Sequence, residues 1–276
     1  MQEKPILEIK NLRKKFGEGC DYCLENPKSF KINRCPKCGT VWGCKDVTFE
    51  VYPGEILGVV GESGSGKSTM MKCLYFDQDV DGGKGLIAGY ESENIFSESS
   101  QKRRYIRNNL MGMVYQNPLL GLRLDYTSVG NIAEKLISAG DRNVKNMTDR
   151  AKELLTHVEI PLTRMKEFPK NFSGGMQQRV QISKALANNP PILLLDEVTT
   201  GLDLSVQAKV LDLIKSIQRE LGVSMIVVSH DLGVIRMLAD RTIVMLQGEI
   251  IEQGLTDQIL DDPQHYYTQQ LVHSLL

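Results

Sequence analysis

Residues 61–69 read Gly-Glu-Ser-Gly-Ser-Gly-Lys-Ser-Thr behind the apolar run 56–60. Glycines at 61, 64 and 66 let a backbone fold around an anion with successive N–H groups turned inward. A helix start behind such a nest adds the positive end of a dipole. The chemistry served by that pattern is phosphate binding. Gly61, Glu62, Ser63, Gly64, Ser65 and Gly66 are the candidate cradle. Lys67 is placed to reach β- and γ-phosphates, Ser68 to ligate Mg²⁺, and Thr69 to support the loop.

Two carboxylates end a second apolar run, Ile192 to Leu195. In that pattern Asp196 holds Mg²⁺, directly or through water, and Glu197 polarises the attacking water as a general base. Gln116 ends a third run, 111–115, where its amide oxygen can reach Mg²⁺ or a water. His230 follows a fourth, 225–228, and can donate to a γ-phosphate oxygen. Ser173, Gly174, Gly175 and Gln177 mark a capped helix start with exposed backbone N–H groups, a second place for an anion. Phe16, upstream of the phosphate loop, is expected in a short basic loop. It either stacks on adenine or tucks against a sheet edge.

Four cysteines form another constellation. Cys20-x-x-Cys23 and Cys35-Pro36-Lys37-Cys38 are separated by eleven residues. Paired knuckles of this kind offer four thiolates to one tetrahedral Zn²⁺. An iron–sulfur cluster suits the same donors. Residues 20–44 are short and polar, so the metal would supply their folding energy. Cys44 and Cys73 fall outside the pairs and read as small buried residues.

Positioning these groups requires an α/β core. The 276 residues suffice for one large domain, with 41% hydrophobic and 24% charged residues, a globular profile. A net charge of −1 gives no field that gathers nucleic acid or anionic membrane. Lys102, Arg103, Arg104 and Arg107 are expected on a solvated helix face. No apolar run reaches the roughly 18 residues that span a bilayer. The N-terminus lacks the apolar core of a signal peptide. A cytoplasmic location with reduced thiols is expected. Strands are expected at 6–11, 47–52, 56–60, 86–90, 111–115, 192–195 and 225–228, with a hairpin at 242–253 around Gln247-Gly248. Gly82 to Gly85 reads as a turn, 91–109 as partly helical, and Asn117-Pro118 as a break. Helical spacing runs through 128–160 and 205–221, the latter stopped by Gly222. A short amphipathic helix ends the chain.

Taken together, 61–69, Gln116, Ser173 to Gln177, Ile192 to Glu197, Gly201 to Asp203 and His230 resemble the ATP-binding cassette (ABC) ATPase family. The resemblance covers nearly the whole chain except 20–44. It implies a RecA-like core, a helical subdomain at 117–180 and a C-terminal extension at 250–276. It also implies a head-to-tail dimer, of this chain or with a related ATPase, that shares two ATPs. In that dimer the signature residues Ser173–Gln177 and Asp203 serve the partner's nucleotide. Val198 stands where the family usually has Pro, which implies altered loop rigidity rather than lost activity. A non-hydrolytic ATP clamp has only Val198 in its favour.

Stretches at 117–123, 130–136, 158–161, 172–179, 254–263 and 267–276 look like ATPase subunits of bacterial carbon–phosphorus lyase systems. That likeness implies soluble lyase core subunits as partners, which ATP binding and hydrolysis would remodel. The tail Pro263-Gln-His-Tyr-Tyr-Thr268 is also similar to ATPases of dipeptide, oligopeptide or nickel importers, whose partner is a membrane permease.

Overall fold

The computed structural model describes residues 4–30 and 32–273. The expectations for the extreme ends, residues 1–3 and 274–276, lie outside them. Two compact units are present: Met1–Arg103 with Ile226–Leu276, and Arg104–Met225.

The first unit begins with β1 (Leu7–Phe16), the short helix α1 (Asp21–Glu25) and β2 (Val41–Val51). It continues through β3 (Ile56–Val60), α2 (Lys67–Leu74), β4 (Gly82–Ile87) and α3 (Ser100–Tyr105). β1 pairs antiparallel with both neighbours, in the order β2-β1-β4. Leu7, Ile9 and Leu12 are fully buried. The alternation slips between Ile9 and Leu12 because Asn11 takes φ 52° and opens a bulge. Asn tolerates that left-handed region better than most residues.

Several expectations change here. Phe16 is the last residue of β1, opposite Val41, rather than part of a loop. β2 starts at Val41, so 41–44 belongs to the sheet and only 20–40 forms the cysteine segment. Gly82 to Gly85 is strand: Gly85 faces Ile9 and Lys84 faces Lys10. A Cβ on Gly85 would meet Ile95 at 2.8 Å, so the missing side chain admits the 3₁₀ turn Ile95–Ser97. The basic cluster does lie on an exposed helix face, and two of its members have local partners. Lys102 pairs with Glu98, and Arg103 with Asp79 and the Phe96 carbonyl.

The second unit opens with a π turn, Ile106–Leu110, and β5 (Met111–Val114). The expected break at Asn117-Pro118 instead starts a one-turn helix, α4 (Pro118–Gly121). Asn117 Oδ1 accepts the Leu119 N–H at 3.0 Å, and Pro118 sits at the first helical position, where no N–H is needed. Next come α5 (Ser128–Ala139), α6 (Val144–His157), α7 (Gly174–Ala185), β6 (Ile192–Asp196) and α8 (Leu204–Leu221). β5 and β6 are parallel, Met113 opposite Leu194, and every residue of both is buried. That explains their continuous apolar sequence. α7 contacts α5, α6 and α8. Between α5 and α7, Lys184 Nζ reaches Glu134 Oε2 at 2.8 Å and the Gly121 carbonyl at 2.9 Å. Gly222 closes α8 at φ 63°.

β7 (Ser224–Val228) carries the chain back into the first unit. There α9 (Leu232–Leu238), β8 (Arg241–Leu246), β9 (Glu249–Leu255), α10 (Thr256–Asp261) and α11 (Tyr266–His273) complete it. β3 runs parallel to β8, and β8 antiparallel to β9 through the expected hairpin.

Candidate functional site

The first unit holds the phosphate loop between β3 and α2. Burial on both faces fixes β3, whose five residues are all buried. The chain must then turn without side chains. Gly61 takes φ 146° and a Cβ there would lie 2.1 Å from the Met245 carbonyl; on Gly66, at φ 107°, it would lie 2.1 Å from that of Gly43. Only glycine fits either place. α2 starts at Lys67, directly after the loop, and its N-cap Gly66 has no side chain to cap it. Lys67 folds back over the loop: Nζ donates to the Gly61 carbonyl at 2.7 Å and to that of Glu62 at 2.8 Å. These carbonyls hold the ammonium at the loop, where a positive charge beside a helix start favours an anion.

Phe16 stands beside this loop. A Cβ on Gly43 would touch both Thr69, at 2.7 Å, and the Phe16 ring, at 3.1 Å. The ring is 44% exposed, with the Lys14 ammonium 5.6 Å from its centroid. Such a face can accept a flat heterocycle. His230 is exposed at the end of β7, ahead of Asp231, whose Oδ1 caps α9 by accepting the Gly233 N–H at 2.8 Å.

The second unit holds the other candidates. Asp196, the last residue of β6, is 5% exposed. Glu197 follows at φ 48°, a left-handed conformation unusual for a side chain of its kind and of the sort held at functional turns. Its Oε2 accepts from Gln116 Nε2 at 2.9 Å and from Thr200 Oγ1 at 3.2 Å. The Gln116 amide oxygen, the atom expected to meet a cation or water, lies outside that bond. Val198 is buried.

Ser173 caps α7, its Oγ accepting the Met176 N–H at 3.4 Å. Gly175 is the close-approach glycine there: a Cβ would meet Val206 of α8 at 2.4 Å. Gln177 turns backward, its Nε2 donating to the carbonyls of Pro169 at 2.9 Å and Phe172 at 3.3 Å. Its amide nitrogen therefore holds the loop that precedes α7. Asp203 caps α8: Oδ1 accepts from the N–H groups of Ser205 at 3.1 Å and Val206 at 3.0 Å, and from Ser205 Oγ at 2.7 Å. These bonds, the Ser205 hydroxyl first, lower its pKa.

The four cysteines converge. Sγ–Sγ distances are 3.9 Å for Cys20–Cys23, 3.8 Å for Cys20–Cys35 and 3.7 Å for Cys23–Cys38, and all four atoms lie within 4.8 Å of one another. A tetrahedron with Zn–S bonds of about 2.3 Å has sulfur–sulfur edges of about 3.8 Å. The donor set therefore fits a Zn²⁺-sized ion. Gly39, at φ 75°, lets the second knuckle close, with its N–H on the Cys35 carbonyl at 2.9 Å. Thr40, through side chain and backbone, holds the Cys38 thiol down to about 6. Cys20 is pushed up to about 11: the Cys23 N–H lowers it, but desolvation and the three facing thiols outweigh that. Four thiols so close cannot all ionise without a cation among them. Cys44 and Cys73 are buried elsewhere; burial raises both, Cys73 to about 12.

Sequence reading missed the groups that join these features. Asn33 of the cysteine segment donates its N–H to Gln247 Oε1 at 2.9 Å and its Nδ2 to the Gly64 carbonyl at 3.4 Å. Gln247 Nε2 donates to Glu62 Oε1 at 3.3 Å. Tyr267 of α11 accepts the Glu62 N–H at 2.8 Å. Lys45, with a fully buried side chain, donates to the Phe30 and Ile32 carbonyls at 3.1 and 3.0 Å and pairs with Glu249 at 3.3 Å. The sequence carried no sign of it: Lys45 is one of four polar residues of β2, with Asp46, Thr48 and Glu50.

A family model described as ABC transporter matches residues 44–200. The chain is 46% identical over 234 residues to the putative phosphonates utilization ATP-binding protein PhnK of Escherichia coli (strain K12), covering 85% of this chain and 92% of that one. It is 38% identical over 242 residues to the oligopeptide transport ATP-binding protein OppD of Bacillus subtilis (strain 168), covering 86% and 67% respectively. Among solved structures it is similar to the dimeric post-hydrolysis state of the ATP-binding cassette MJ0796 bound to ADP and Pi. That likeness has a TM-score of 0.75 at 28% identity and covers 91% of this chain and 98% of that one.

Proposed function

Since this chain belongs to the ATP-binding cassette family and is an ATPase of that family, we propose that it powers a phosphonate-degrading carbon–phosphorus lyase assembly. The observation that carries this reading is the 46% identity to a phosphonates utilization protein along 92% of that protein's length. The chain works as a dimer, and its ATP cycle opens or remodels soluble lyase subunits rather than cleaving the carbon–phosphorus bond itself.

In this reading Lys67 and the loop 61–69 hold the phosphates, and Ser68, Gln116 and Asp196 serve Mg²⁺. Glu197 is the general base and His230 donates to the γ-phosphate. Phe16 stacks on adenine. Ser173, Gly174, Gly175, Gln177 and Asp203 serve the nucleotide held by the partner of the dimer. Cys20, Cys23, Cys35 and Cys38 hold one structural Zn²⁺, with no open position for catalysis. The sulfur spacing supports zinc over a larger iron–sulfur cluster.

The test is a pull-down of tagged Glu197→Gln protein from its native cells with ATP and Mg²⁺. Recovery of soluble phosphonate-cleaving subunits is the expected result. Recovery of integral membrane permeases favours the second reading, an ATPase of a dipeptide, oligopeptide or nickel importer. The similarity to peptide-import ATPases and the Pro263–Thr268 tail support that second reading. Among the described residues no helix is long and apolar enough to cross a membrane.

A further inference from the structure

The cysteine segment 20–40 lies against the phosphate loop by a bridge built from the hairpin tip between β8 and β9. On one side, Asn33 is anchored just before Cys35: its carbonyl accepts the Trp42 N–H at 2.6 Å. Asn33 then grips Gln247 with its backbone and Gly64 with its side chain. On the other side, Gln247 reaches Glu62, and the Gly248 N–H donates to the Ser65 carbonyl at 2.9 Å. Lys45 locks the two halves together. Its N–H donates to the Gly248 carbonyl at 2.7 Å while its buried ammonium holds the carbonyls of Phe30 and Ile32. Three residues of the phosphate loop, Glu62, Gly64 and Ser65, are thus bonded to the segment or to the tip that it braces.

We propose that metal binding by the four cysteines is coupled to nucleotide binding, with Asn33 and Gln247 as the positioning residues that transmit it. The proposal rests on the metal reading above. The segment's own core is small, with Cys23, Phe30, Cys35 and Trp42 at its centre and Cys20 and Tyr22 beside it. Two of those central groups are the proposed ligands, so the ion supplies a large part of the ordering energy. When the ion leaves, Asn33 loses its anchorage, and Gln247, at φ 50°, loses the bond that holds it in a left-handed turn. The phosphate loop then has more conformations to lose when nucleotide binds. Linkage makes the effect reciprocal: nucleotide must tighten the metal by the factor by which metal tightens nucleotide.

The experiment uses the full chain, zinc and MgADP. Elemental analysis first counts zinc per chain. Calorimetry then gives MgADP affinity for the parent chain and for Asn33→Ala/Gln247→Leu, each zinc-loaded and chelator-stripped; the zinc-loaded variant is expected to bind MgADP as weakly as the stripped parent. Trp42, the sole tryptophan and part of the cysteine cluster, reports the segment's order by its emission. Stripping is expected to weaken MgADP about fivefold or more, and MgADP to tighten zinc by the same factor. The double variant should keep one zinc and a native Trp42 signal yet lose the linkage. Equal MgADP affinity with and without zinc overturns the coupling while leaving the metal site intact. Absence of bound zinc in the first step overturns the metal reading as well. Should stripping unfold the chain, the double variant decides: a parental MgADP affinity overturns the proposal.

Discussion

Gln116 Nε2 donates to Glu197 Oε2 at 2.9 Å, joining the second residue past β5 to the first residue past β6. The two strands are parallel neighbours, so their ends present an amide and a carboxylate side by side. The arrangement suits a pair in which one group handles a cation or water and the other takes a proton.

Glu197→Gln is expected to lower the ATP turnover number by about 10²- to 10⁴-fold, the usual worth of a positioned base. Gln retains the shape and can still accept from Gln116, so MgATP binding should persist. Phosphate release and nucleotide binding measured on one preparation check both halves. Turnover at the parental rate would remove Glu197 from the role of base.

Lys67→Ala is expected to weaken MgATP binding by about 10- to 100-fold, since one charge-assisted hydrogen bond is worth about 1.5–3 kcal/mol. The same lysine holds the carbonyls of Gly61 and Glu62, so a thermal melt must accompany the titration. Unchanged affinity in a folded variant would sink the phosphate-loop assignment.

Gly175→Ala places a methyl 2.4 Å from Val206. Overpacking of that kind costs about 1–3 kcal/mol, more than the gain of up to about 1 kcal/mol from replacing glycine in a helix. The urea midpoint should fall. Adding Val206→Ala should restore most of the loss; without that recovery, the contact between α7 and α8 is not the cause.

Lys45→Met removes three donor contacts made by a fully buried side chain, leaving the buried Phe30 carbonyl without that donor. A cost of about 1–3 kcal/mol is expected. Protease cutting within 20–40 should accelerate first. A cut pattern identical to the parent would show that the ammonium does not hold this segment.

One zinc per chain is expected by elemental analysis, with affinity rising with pH because each ligand thiol must shed its proton to the solvent. Cys38, already held down to about 6, gives up its proton at less cost than Cys20, pushed up to about 11. Cys35→Ser should abolish stoichiometric zinc while the remaining ATPase fold stays cooperative. Iron and sulfide with visible absorption would replace zinc by a cluster.

The parts of this molecule that were legible in sequence are those where local chemistry decides. β3, β5 and β6 announce themselves as apolar runs because both faces are covered. Ser173 and Gly222 mark helix ends through a side chain or, for glycine, the lack of one. The two cysteine pairs predicted a cluster that the fold assembles. What misled was sheet pairing over long separations. Gly82 to Gly85 has turn composition, yet β1 offers it a ladder some seventy residues away in sequence. The links through Asn33, Gln247 and Tyr267 were invisible for the same reason. An amide or a phenol carries no sign of which distant backbone group it will meet.

The hydroxyl of Tyr267 on the Glu62 N–H has a practical corollary for anyone handling this chain. Its last described helix is stitched to the phosphate loop, so trimming that helix away removes a partner of the Glu62 N–H. An affinity handle belongs at the other end, and a shortened version ending before residue 264 should be treated as a nucleotide-binding mutant.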